Sequence, residues 1–422
     1  MEWSDFGKKL TKSSGILELM DDLSDQTIDT PYMLGGGNPG SIPEVDALWH
    51  QRMEQILKQG SVFEKALTQY DAPDGNLQYR ESIAQLMRKQ YGWNLTQDNI
   101  VITNGSQSAF FILFNLLSGQ YTTKGRITNK KILLPLMPEY IGYADQGIGE
   151  DHFVAIPPKI TLMGEHQFKY HIDFESIHID DSISAICISR PTNPTGNVIT
   201  DKELLHLNQL AQKHNIPLLI DNAYGSPFPN IIFTDTNPIW NDNIIMGFSL
   251  SKLGLPSART GIIIAKPDII KAISSVNAIM SLANTTIGQL LTSEIIKSGQ
   301  IIEISKSYIK PYYKEKSKEA QHYIEKYFHD LPYRIHLSQG AIFLWLWLPN
   351  MGIDTMELYK RLKPKGVVIV PGRYFFFGSN ISYAQNRHVH ECIRINFAQP
   401  PSVIEEGIRI IAEEVRLMKS NA

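Results

Sequence analysis

Five stretches of the chain place polar or charged residues directly after an apolar, strand-length run. Ligands of open α/β sheets bind at the carboxyl ends of such strands, so side chains in these places can share one site. The residues are Asn104, Gly105, Ser106 and Gln107 after NIVIT, Glu139 and Tyr140 after KILLP, Asn193 in RPTNPTG after SAICIS, Asp221 and Tyr224 after PLLI, and Ser249 and Lys252 after NIIMGF. Chemically they are an anion-binding turn, an aromatic ring, an amide, a carboxylate with a phenol, and an amine.

Together these groups suit one cofactor, pyridoxal 5'-phosphate. Its aldehyde needs a lysine amine for a Schiff base, and its pyridine nitrogen needs a carboxylate that keeps it protonated. Its phosphate needs a helix N-terminus, hydroxyl groups and an arginine, and its ring needs an aromatic side chain to lie against. Arg259 follows Lys252 by seven positions and can supply the arginine.

Each group also has an ordinary structural explanation. A Gly-Ser pair at a helix start is usually a cap, and Asn-Pro-Thr-Gly is usually a turn. A carboxylate at a strand end often caps the next turn or helix, a tyrosine is often an edge of the core, and a loop lysine is usually solvated. Because these explanations are independent of one another, their coincidence at one sheet edge favours the cofactor site.

The strings that carry these groups resemble the fold-type I aminotransferases, which share the fold of aspartate aminotransferase. They are NGSQ, RPTNPTG, DNAY and SLSK with Arg259, and the similarity extends from LGGGNP near the N-terminus to GAIFLWLWL and the last helix. The resemblance implies a mostly parallel seven-stranded sheet sandwiched by helices, with a smaller α+β domain. It also implies amino-group transfer between an amino acid and a 2-oxo acid in two half-reactions, by a homodimer with shared active sites and no metal ion.

The resemblance assigns roles residue by residue. Lys252 would form the Schiff base and move the proton, and Asp221 would pair with the pyridine nitrogen. Asn193 and Tyr224 would bond the phenolic oxygen, and Tyr140 would stack on the ring. The catalytic residues would then be Lys252, Asp221 and Tyr224. The phosphate ligands would be Ser106, Gln107, Ser249, Arg259 and, from the other subunit, Tyr70. Many relatives place the arginine eight positions after the lysine, so the spacing of seven in this chain changes its expected geometry.

The amino-acid substrate would be held through its carboxylate. Arg394, in the strand-like ECIRINFA, matches the arginine that grips this group in the family, with Asn193 and the backbone at Gly36 and Gly37 beside it. The alternative for Arg394 is an exposed arginine in a surface ion pair. Relatives specific for diacids have a second arginine, but residues 260–300 contain none. We therefore expect an aliphatic or otherwise uncharged donor; valine, alanine, 2-aminobutyrate and larger aliphatic amino acids all remain open.

Length and composition limit the other classes of protein. The 422 residues exceed the roughly 250–300 that one hydrophobic core can organise, which predicts two domains. The formal net charge is −3, and the basic residues form no run in the sequence, so nothing indicates a surface that binds nucleic acid. No apolar run approaches the roughly 18 residues that cross a membrane, and no signal-peptide core is present. With Cys187 and Cys392 expected as reduced core residues, we predict a cytoplasmic protein with small-molecule partners.

The pattern of elements changes near residue 300. Before that point, buried strands alternate with helices. After it come a long charged helical stretch at 301–329, the strand AIFLWLWL, a helix, the strand ECIRINFA and a last amphipathic helix. We predict a large cofactor-binding domain at 46–300 and a small α+β domain at 301–422, with residues 1–45 packed against the small domain.

Two helices carry the sequence signature of a capping box, a hydroxyl residue followed three positions later by a glutamate. One box would be Thr200 with Glu203, at the start of the helix after SAICIS. The other would be Ser402 with Glu405, at the start of the last helix.

Three other functions would use a similar sequence. An aminotransferase for other aliphatic or aromatic amino acids, and a lyase or decarboxylase on the same fold, would share the cofactor contacts. A cofactor-sensing module of a transcription regulator would need a DNA-binding domain, and the sequence shows no helix-turn-helix and no basic face.

Overall fold

The structure is a computed structural model that describes residues 2–12, 14–24, 31–378 and 387–420. Its strands are, in chain order, β1 (Tyr32–Met33), β2 (Ile100–Thr103), β3 (Gly119–Thr123), β4 (Arg126–Leu134), β5 (Phe153–Ala155), β6 (Lys159–Met163), β7 (Gln167–His171), β8 (Ile183–Ser189), β9 (Leu218–Asp221), β10 (Ile244–Ser249), β11 (Gly261–Ile264), β12 (Arg334–His336), β13 (Phe343–Trp347), β14 (Val367–Val368), β15 (Val370–Pro371) and β16 (Cys392–Asn396). Its α-helices are α1 (Asp5–Leu10), α2 (Gly15–Ser24), α3 (Pro43–Leu57), α4 (Val62–Thr68), α5 (Leu77–Tyr91), α6 (Ser106–Leu117), α7 (Asp201–Lys213), α8 (Pro267–Ser281), α9 (Ile287–Ser298), α10 (Gln300–Ile304), α11 (Lys310–Phe328), α12 (Thr355–Leu362), α13 (Arg387–His390) and α14 (Pro401–Ser420). A π-helical turn, Ser305–Ile309, joins α10 to α11.

The larger sheet has the order β2–β11–β10–β9–β8–β4, and both β5 and β3 pair with β4. Its pairs from β10 through β9 and β8 to β4 and β5 are parallel, while β11 is antiparallel to both of its neighbours. Strands β2, β8, β10 and β11 are buried at every position, because helices cover both faces of the sheet. The mostly parallel sheet sandwiched by helices, which the resemblance implied, is confirmed.

Strand β3 is an addition to the seven strands that were expected. It forms a hairpin with β4 through a two-residue turn, Lys124 and Gly125, in which both residues have positive φ. Such turns are usually signalled by Asn-Gly or Asp-Gly, and here the first position is a lysine. Strand β3 and the residues that pair with it, 126–130 of β4, are also largely exposed, so they carried no buried apolar run that the sequence could reveal.

A second sheet has the order β15–β16–β13–β12–β7–β6. Its hairpin β6–β7 comes from residues 159–171, in the middle of the chain, and β7 pairs in parallel with β12. This hairpin lies within the span that was assigned to the large domain. Strand β6 is exposed along its whole length, and its sequence contains nothing that indicates which sheet it joins. The domain boundaries remain a prediction.

The N-terminal segment is attached to the second sheet. Strand β1 pairs in parallel with β14, and the Asn396 N–H donates to the carbonyl of Leu34 at 2.7 Å. A Cβ atom on Gly407, in α14, would lie 2.6 Å from Leu34 Cδ1, so α14 packs closely on this segment at a glycine. These contacts place the next three residues, Gly35 to Gly37, against the end of β16.

The two predicted capping boxes have different outcomes. The box at Thr200 and Glu203 is confirmed, since Thr200 Oγ1 accepts from the Glu203 N–H at 3.2 Å and Glu203 Oε2 accepts from the Thr200 N–H at 2.7 Å. The box at Ser402 is wrong, because α14 begins one residue earlier, at Pro401. Proline is favoured at the first helical position, and its fixed φ sets this start. Glu405 accepts instead from Lys326 Nζ at 2.7 Å.

Within the described ranges, no helix is both long enough and apolar enough to cross a membrane. Cys187 and Cys392 are free thiols and both are buried, as predicted. Burial also raises the pKa of both thiols, which keeps them protonated and unreactive.

The capping analysis predicts unequal effects of two similar substitutions. Thr200→Ala should lower the free energy of unfolding by about 1 kcal/mol, because the Glu203 N–H loses its acceptor. Ser402→Ala is the matched control and should change it by less than about 0.5 kcal/mol, since Ser402 caps no helix. Urea unfolding followed by circular dichroism measures both, and equal losses would contradict the assignment.

Candidate active site

The carboxyl ends of the parallel strands meet at one edge of the larger sheet, and the predicted side chains lie there. Lys252 occupies a 3-10 turn, Ser251–Leu253, directly after β10. Its Nζ donates to the carbonyl of Gly37 at 2.5 Å and lies 5.4 Å from the centre of the Tyr224 ring. Burial, with smaller effects from the charges of Arg394 and Arg259, lowers the pKa of Lys252 to about 8. A minority of this amine is therefore neutral, and nucleophilic, near physiological pH, far more than for an ordinary lysine.

Asp221 ends β9 and is half-buried. It accepts from the Tyr143 hydroxyl at 2.5 Å and from the Ala223 N–H at 3.0 Å. Burial raises its pKa, and the hydrogen bond from Tyr143 opposes that rise. Within the described residues no cation pairs with Asp221, so the site can accommodate a positively charged group beside it.

Tyr143 was not predicted as a site residue. It lies three positions after Tyr140, in the turn PEYIGYAD, and the two rings meet edge to face at 5.3 Å between centres. A Cβ atom on Gly142 would lie 2.4 Å from the Tyr140 ring, so the turn needs glycine at that position. The i, i+3 spacing of two tyrosines was a signal for their contact, but nothing in it indicated Asp221 as the hydrogen-bond partner.

The start of α6 forms a polar cradle with Arg259. Gly105 has φ +88°, and a Cβ atom there would lie 2.2 Å from Arg259 Nη2. A Cβ atom on Gly261 would lie 2.7 Å from the backbone nitrogen of Ser106. Ser249 is the register partner of Gly261, which places its hydroxyl beside the same turn. Glycines at both positions let a helix N-terminus, hydroxyl groups and a guanidinium converge, a set that suits an anion.

The side chain of Gln107 forms its hydrogen bond with another segment, and its role as a phosphate ligand stays a prediction. Its Nε2 donates to the carbonyl of Gly142 at 3.3 Å and so connects α6 to the turn that carries Tyr140. Within a single chain, Tyr70 lies away from the other predicted site residues, and 82% of its surface is exposed.

Arg394 is a buried guanidinium on β16, 2% exposed, and the alternative of a surface arginine is wrong. Its Nη1 donates to Asn193 Oδ1 at 2.8 Å and its Nη2 donates to the carbonyl of Gly35 at 2.6 Å, while its Nε has no partner among the described residues. The guanidinium carbon lies 4.1 Å from the centre of the Phe343 ring and 5.1 Å from that of Phe375. Burial lowers the pKa of Arg394 to about 10, so it stays charged at neutral pH. The guanidinium is charged, its Nε has no partner among the described residues, and two aromatic rings flank it. Such a group suits the carboxylate of a substrate.

Three consecutive backbone carbonyls each accept a hydrogen bond from a side chain of the site. That of Gly35 accepts from Arg394, that of Gly36 from Asn396 Nδ2 at 2.7 Å, and that of Gly37 from Lys252. Gly36 and Gly37 follow the residue whose carbonyl bonds Arg394, and their place beside a substrate carboxylate stays a prediction. Asn396 was not predicted, although its place two residues after Arg394 puts both side chains on one face of β16.

The remaining aromatic residue is Tyr224. Its ring is buried and lies 6.2 Å from the Phe343 ring, between centres. Burial raises the pKa of its phenol, which keeps the hydroxyl protonated and able to donate. No cluster of three or more His, Cys, Asp or Glu that could hold a metal ion occurs in the part of the chain that the structure describes.

Comparison with known proteins finds similarity along nearly the whole chain. Residues 159–411 match the family described as aminotransferase class I and II. The chain is 49% identical to valine–pyruvate aminotransferase of Escherichia coli (strain K12), over 98% of each chain. It superposes on the crystal structure of valine–pyruvate aminotransferase from Salmonella typhimurium LT2 with a TM-score of 0.87 and 46% identity, covering 96% of this chain and 100% of that one. A crystal structure from Psychrobacter arcticum 273-4 gives a TM-score of 0.95 and 42% identity over the whole of both chains.

The lowered pKa of Lys252 predicts its reactivity. Only the neutral amine reacts with cyanate, so carbamoylation of Lys252 should reach half its maximal rate near pH 8, where an ordinary lysine needs a pH of about 10.4. Mass spectrometry of peptides from the protein, labelled briefly at pH 6 to 11, gives the rate at each lysine. A Lys252 rate that still rises steeply above pH 9 would contradict the effect of burial.

Proposed function

The chain belongs to the class I and II aminotransferase family, and we propose that it transfers the amino group of valine to pyruvate. The products are 3-methyl-2-oxobutanoate and alanine. The names of the relatives from E. coli and S. typhimurium support this choice of substrates. The observation that carries the proposal is the buried Arg394, bonded to Asn193 and close enough to Lys252 to lower the pKa of its amine. A carboxylate bound there would bring its Cα next to that amine.

Pyridoxal 5'-phosphate is the cofactor that these residues fit. Lys252 would hold it covalently through the aldehyde, and Asp221, which lacks a cation partner among the described residues, would keep the ring nitrogen protonated. Asn193 and Tyr224 would bond the phenolic oxygen, and Tyr140 would lie against the ring. The phosphate ligands would be Ser106, Gln107, Ser249 and Arg259. When bound, the cofactor supplies an electron-accepting ring and a carbon that takes up the amino group.

The chain's own residues perform the binding and the proton transfer. Arg394 binds the substrate carboxylate through a pair of N–H groups, which orients the Cα–H bond towards Lys252. Lys252 Nζ removes the proton from Cα, and its lowered pKa lets it act as a base near neutral pH. The carbonyl of Gly37, 2.5 Å from Nζ, holds the amine when it carries the proton.

The substrate side chain would meet an uncharged environment. Phe343 and Phe375 flank Arg394, and residues 260–300 contain no arginine that could bind a second carboxylate. A Cβ atom on Gly37 would have no neighbour within 4 Å, which leaves room next to Lys252 for a branched side chain. These features favour valine over aspartate as the amino donor.

A homodimer would complete the site. Tyr70 is 82% exposed, and the nearby end of α8 exposes Ile279 by 87%. Asn277 Nδ2 donates to the carbonyl of Pro73 at 3.1 Å, so this end of α8 lies beside the loop that carries Tyr70. A second copy of the chain would cover these apolar side chains, and Tyr70 would reach the phosphate of the other subunit.

Lys252→Ala should lower the rate of alanine formation from valine and pyruvate by roughly 100- to 10,000-fold, because the proton at Cα loses its acceptor. The matched control is Lys58→Ala, which removes an exposed lysine outside the site and should leave the rate unchanged. Chromatographic measurement of alanine decides the result. Full turnover by Lys252→Ala would exclude its role, and a wild-type enzyme that forms no alanine would contradict the proposed substrates.

The shared site predicts complementation between two inactive variants. Lys252→Ala and Tyr70→Ala homodimers should both be impaired, but a mixed dimer has one site with an intact Lys252 and an intact Tyr70. Random exchange of subunits should therefore restore about one quarter of wild-type activity. The assay follows alanine formation after equal amounts of the variants are co-refolded. Activity that merely averages the two separate variants would show that each site is built from one chain.

A further inference from the structure

Glu139 is a buried carboxyl group at the active site that none of the proposed roles uses. Its side chain is 0% exposed, and in the described ranges it makes no ion pair. Burying an ionised carboxylate is unfavourable unless hydrogen bonds replace its water. The hydrogen bonds that Glu139 accepts therefore indicate what the chain gains from it.

Three donors converge on the two carboxylate oxygens. Oε1 accepts from the Ser189 N–H at 2.8 Å, and Oε2 accepts from Ser189 Oγ at 2.5 Å and from the Tyr140 N–H at 3.1 Å. Ser189 is the last residue of β8, and Tyr140 is the ring proposed to lie against the cofactor. One carboxylate thus joins the end of a strand to the residue that would support the cofactor ring.

The turn that carries Tyr140 is held at a second point. Tyr143 donates to Asp221, and Asp221 is the register partner of Ser189 in the pairing of β8 with β9. Glu139 and Tyr143 therefore attach the two sides of the turn to adjacent strand ends, with Tyr140 between them.

The hydrogen-bond donors around residue 139 require a carboxylate rather than an amide at that position. Two of its three donors are backbone N–H groups, at Ser189 and Tyr140, which cannot turn into acceptors. A carboxylate offers an acceptor to both, whereas a glutamine would direct an NH₂ group at one of them. Glu139→Gln preserves shape and volume, so it tests the charge and the acceptor pattern alone.

Glu139 also affects the charge at the site. Burial raises its pKa to about 7, the hydrogen bonds from Ser189 and Tyr140 oppose that rise, and the charge of Asp221 adds to it. The other titratable groups that its charge reaches are Tyr143 and Cys187, both protonated at neutral pH because of their burial. Of these neighbours, Asp221 is the one whose ionisation matters to the cofactor.

We propose that Glu139 is a positioning residue for transamination: it orients the Tyr140 ring, and with it the cofactor plane, and its ionised form maintains that orientation. This inference rests on the proposed function. It adds that the carboxylate acts through Tyr140 and Ser189, without touching substrate or cofactor.

The test compares the wild-type holoenzyme with Glu139→Gln and Ser189→Ala. Glu139→Gln should lower kcat about 10- to 100-fold, with the KM for valine nearly unchanged, because the cofactor is displaced while Arg394 is intact. The visible circular dichroism band of the bound cofactor, recorded without amino acid, should weaken. Glu139 should add an acid limb to the wild-type kcat below about pH 7 as it takes up a proton, beyond the loss that protonation of Lys252 causes in every variant, and this added limb should be absent in Glu139→Gln.

Ser189→Ala removes the Oγ–H donor but keeps the carboxylate and the backbone N–H. Loss of this hydrogen bond should raise the pKa of Glu139, so the acid limb should move to higher pH. This arm decides the proposal even when Glu139→Gln does not fold. Two outcomes would contradict the proposal and leave Glu139 with a purely structural role. One is an acid limb that does not move in Ser189→Ala. The other is a Glu139→Gln holoenzyme with the kcat, dichroism and pH profile of the wild type. A wild-type protein with no visible cofactor band would overturn the proposed function, and this inference with it.

Discussion

Buried charge without an opposite charge is the constraint on which this active site depends. Arg394 and Glu139 are buried and Asp221 is half-buried, and within the described residues none of them forms an ion pair. Each is instead bonded to neutral groups: an amide and a carbonyl for Arg394, a phenol for Asp221, and a serine for Glu139. Neutral partners offset desolvation only in part, so the charges of Arg394 and Asp221 favour ligands of the opposite charge. This deficit supports the proposed binding of an amino-acid carboxylate at Arg394 and of a protonated ring nitrogen at Asp221.

The fold brings these charges together from distant parts of the chain. The larger sheet contributes Asp221 and Lys252 because its parallel strands end at the same edge. The second sheet contributes Arg394, and the N-terminal segment contributes the carbonyls of Gly35, Gly36 and Gly37. Since one segment bonds to residues of both sheets, its position depends on the relation between them. A change in that relation would alter the bonding of Arg394 and Lys252 together.

Most of the fold was predictable from the sequence, and the supporting contacts of the site were not. Apolar runs revealed the buried strands, because a strand covered on both faces must be apolar throughout. Strand β6 is exposed throughout and carried no such signal, so the place of the hairpin β6–β7 in the second sheet was missed. Tyr143 and Asn396 were missed for a related reason, since each is defined by a hydrogen-bond partner remote in sequence.

The sequence alone determined which chemistry was possible. An amine, a carboxylate, an amide and an anion-binding turn after successive strands must meet at one edge, because parallel strands share their direction. The tertiary structure decided how reactive those groups are. Burial lowers the pKa of Lys252 and raises that of Glu139, and it leaves Arg394 Nε without a partner among the described residues. Desolvation depends on every atom that surrounds a charge, and those atoms come from segments whose spacing along the chain does not record their contact.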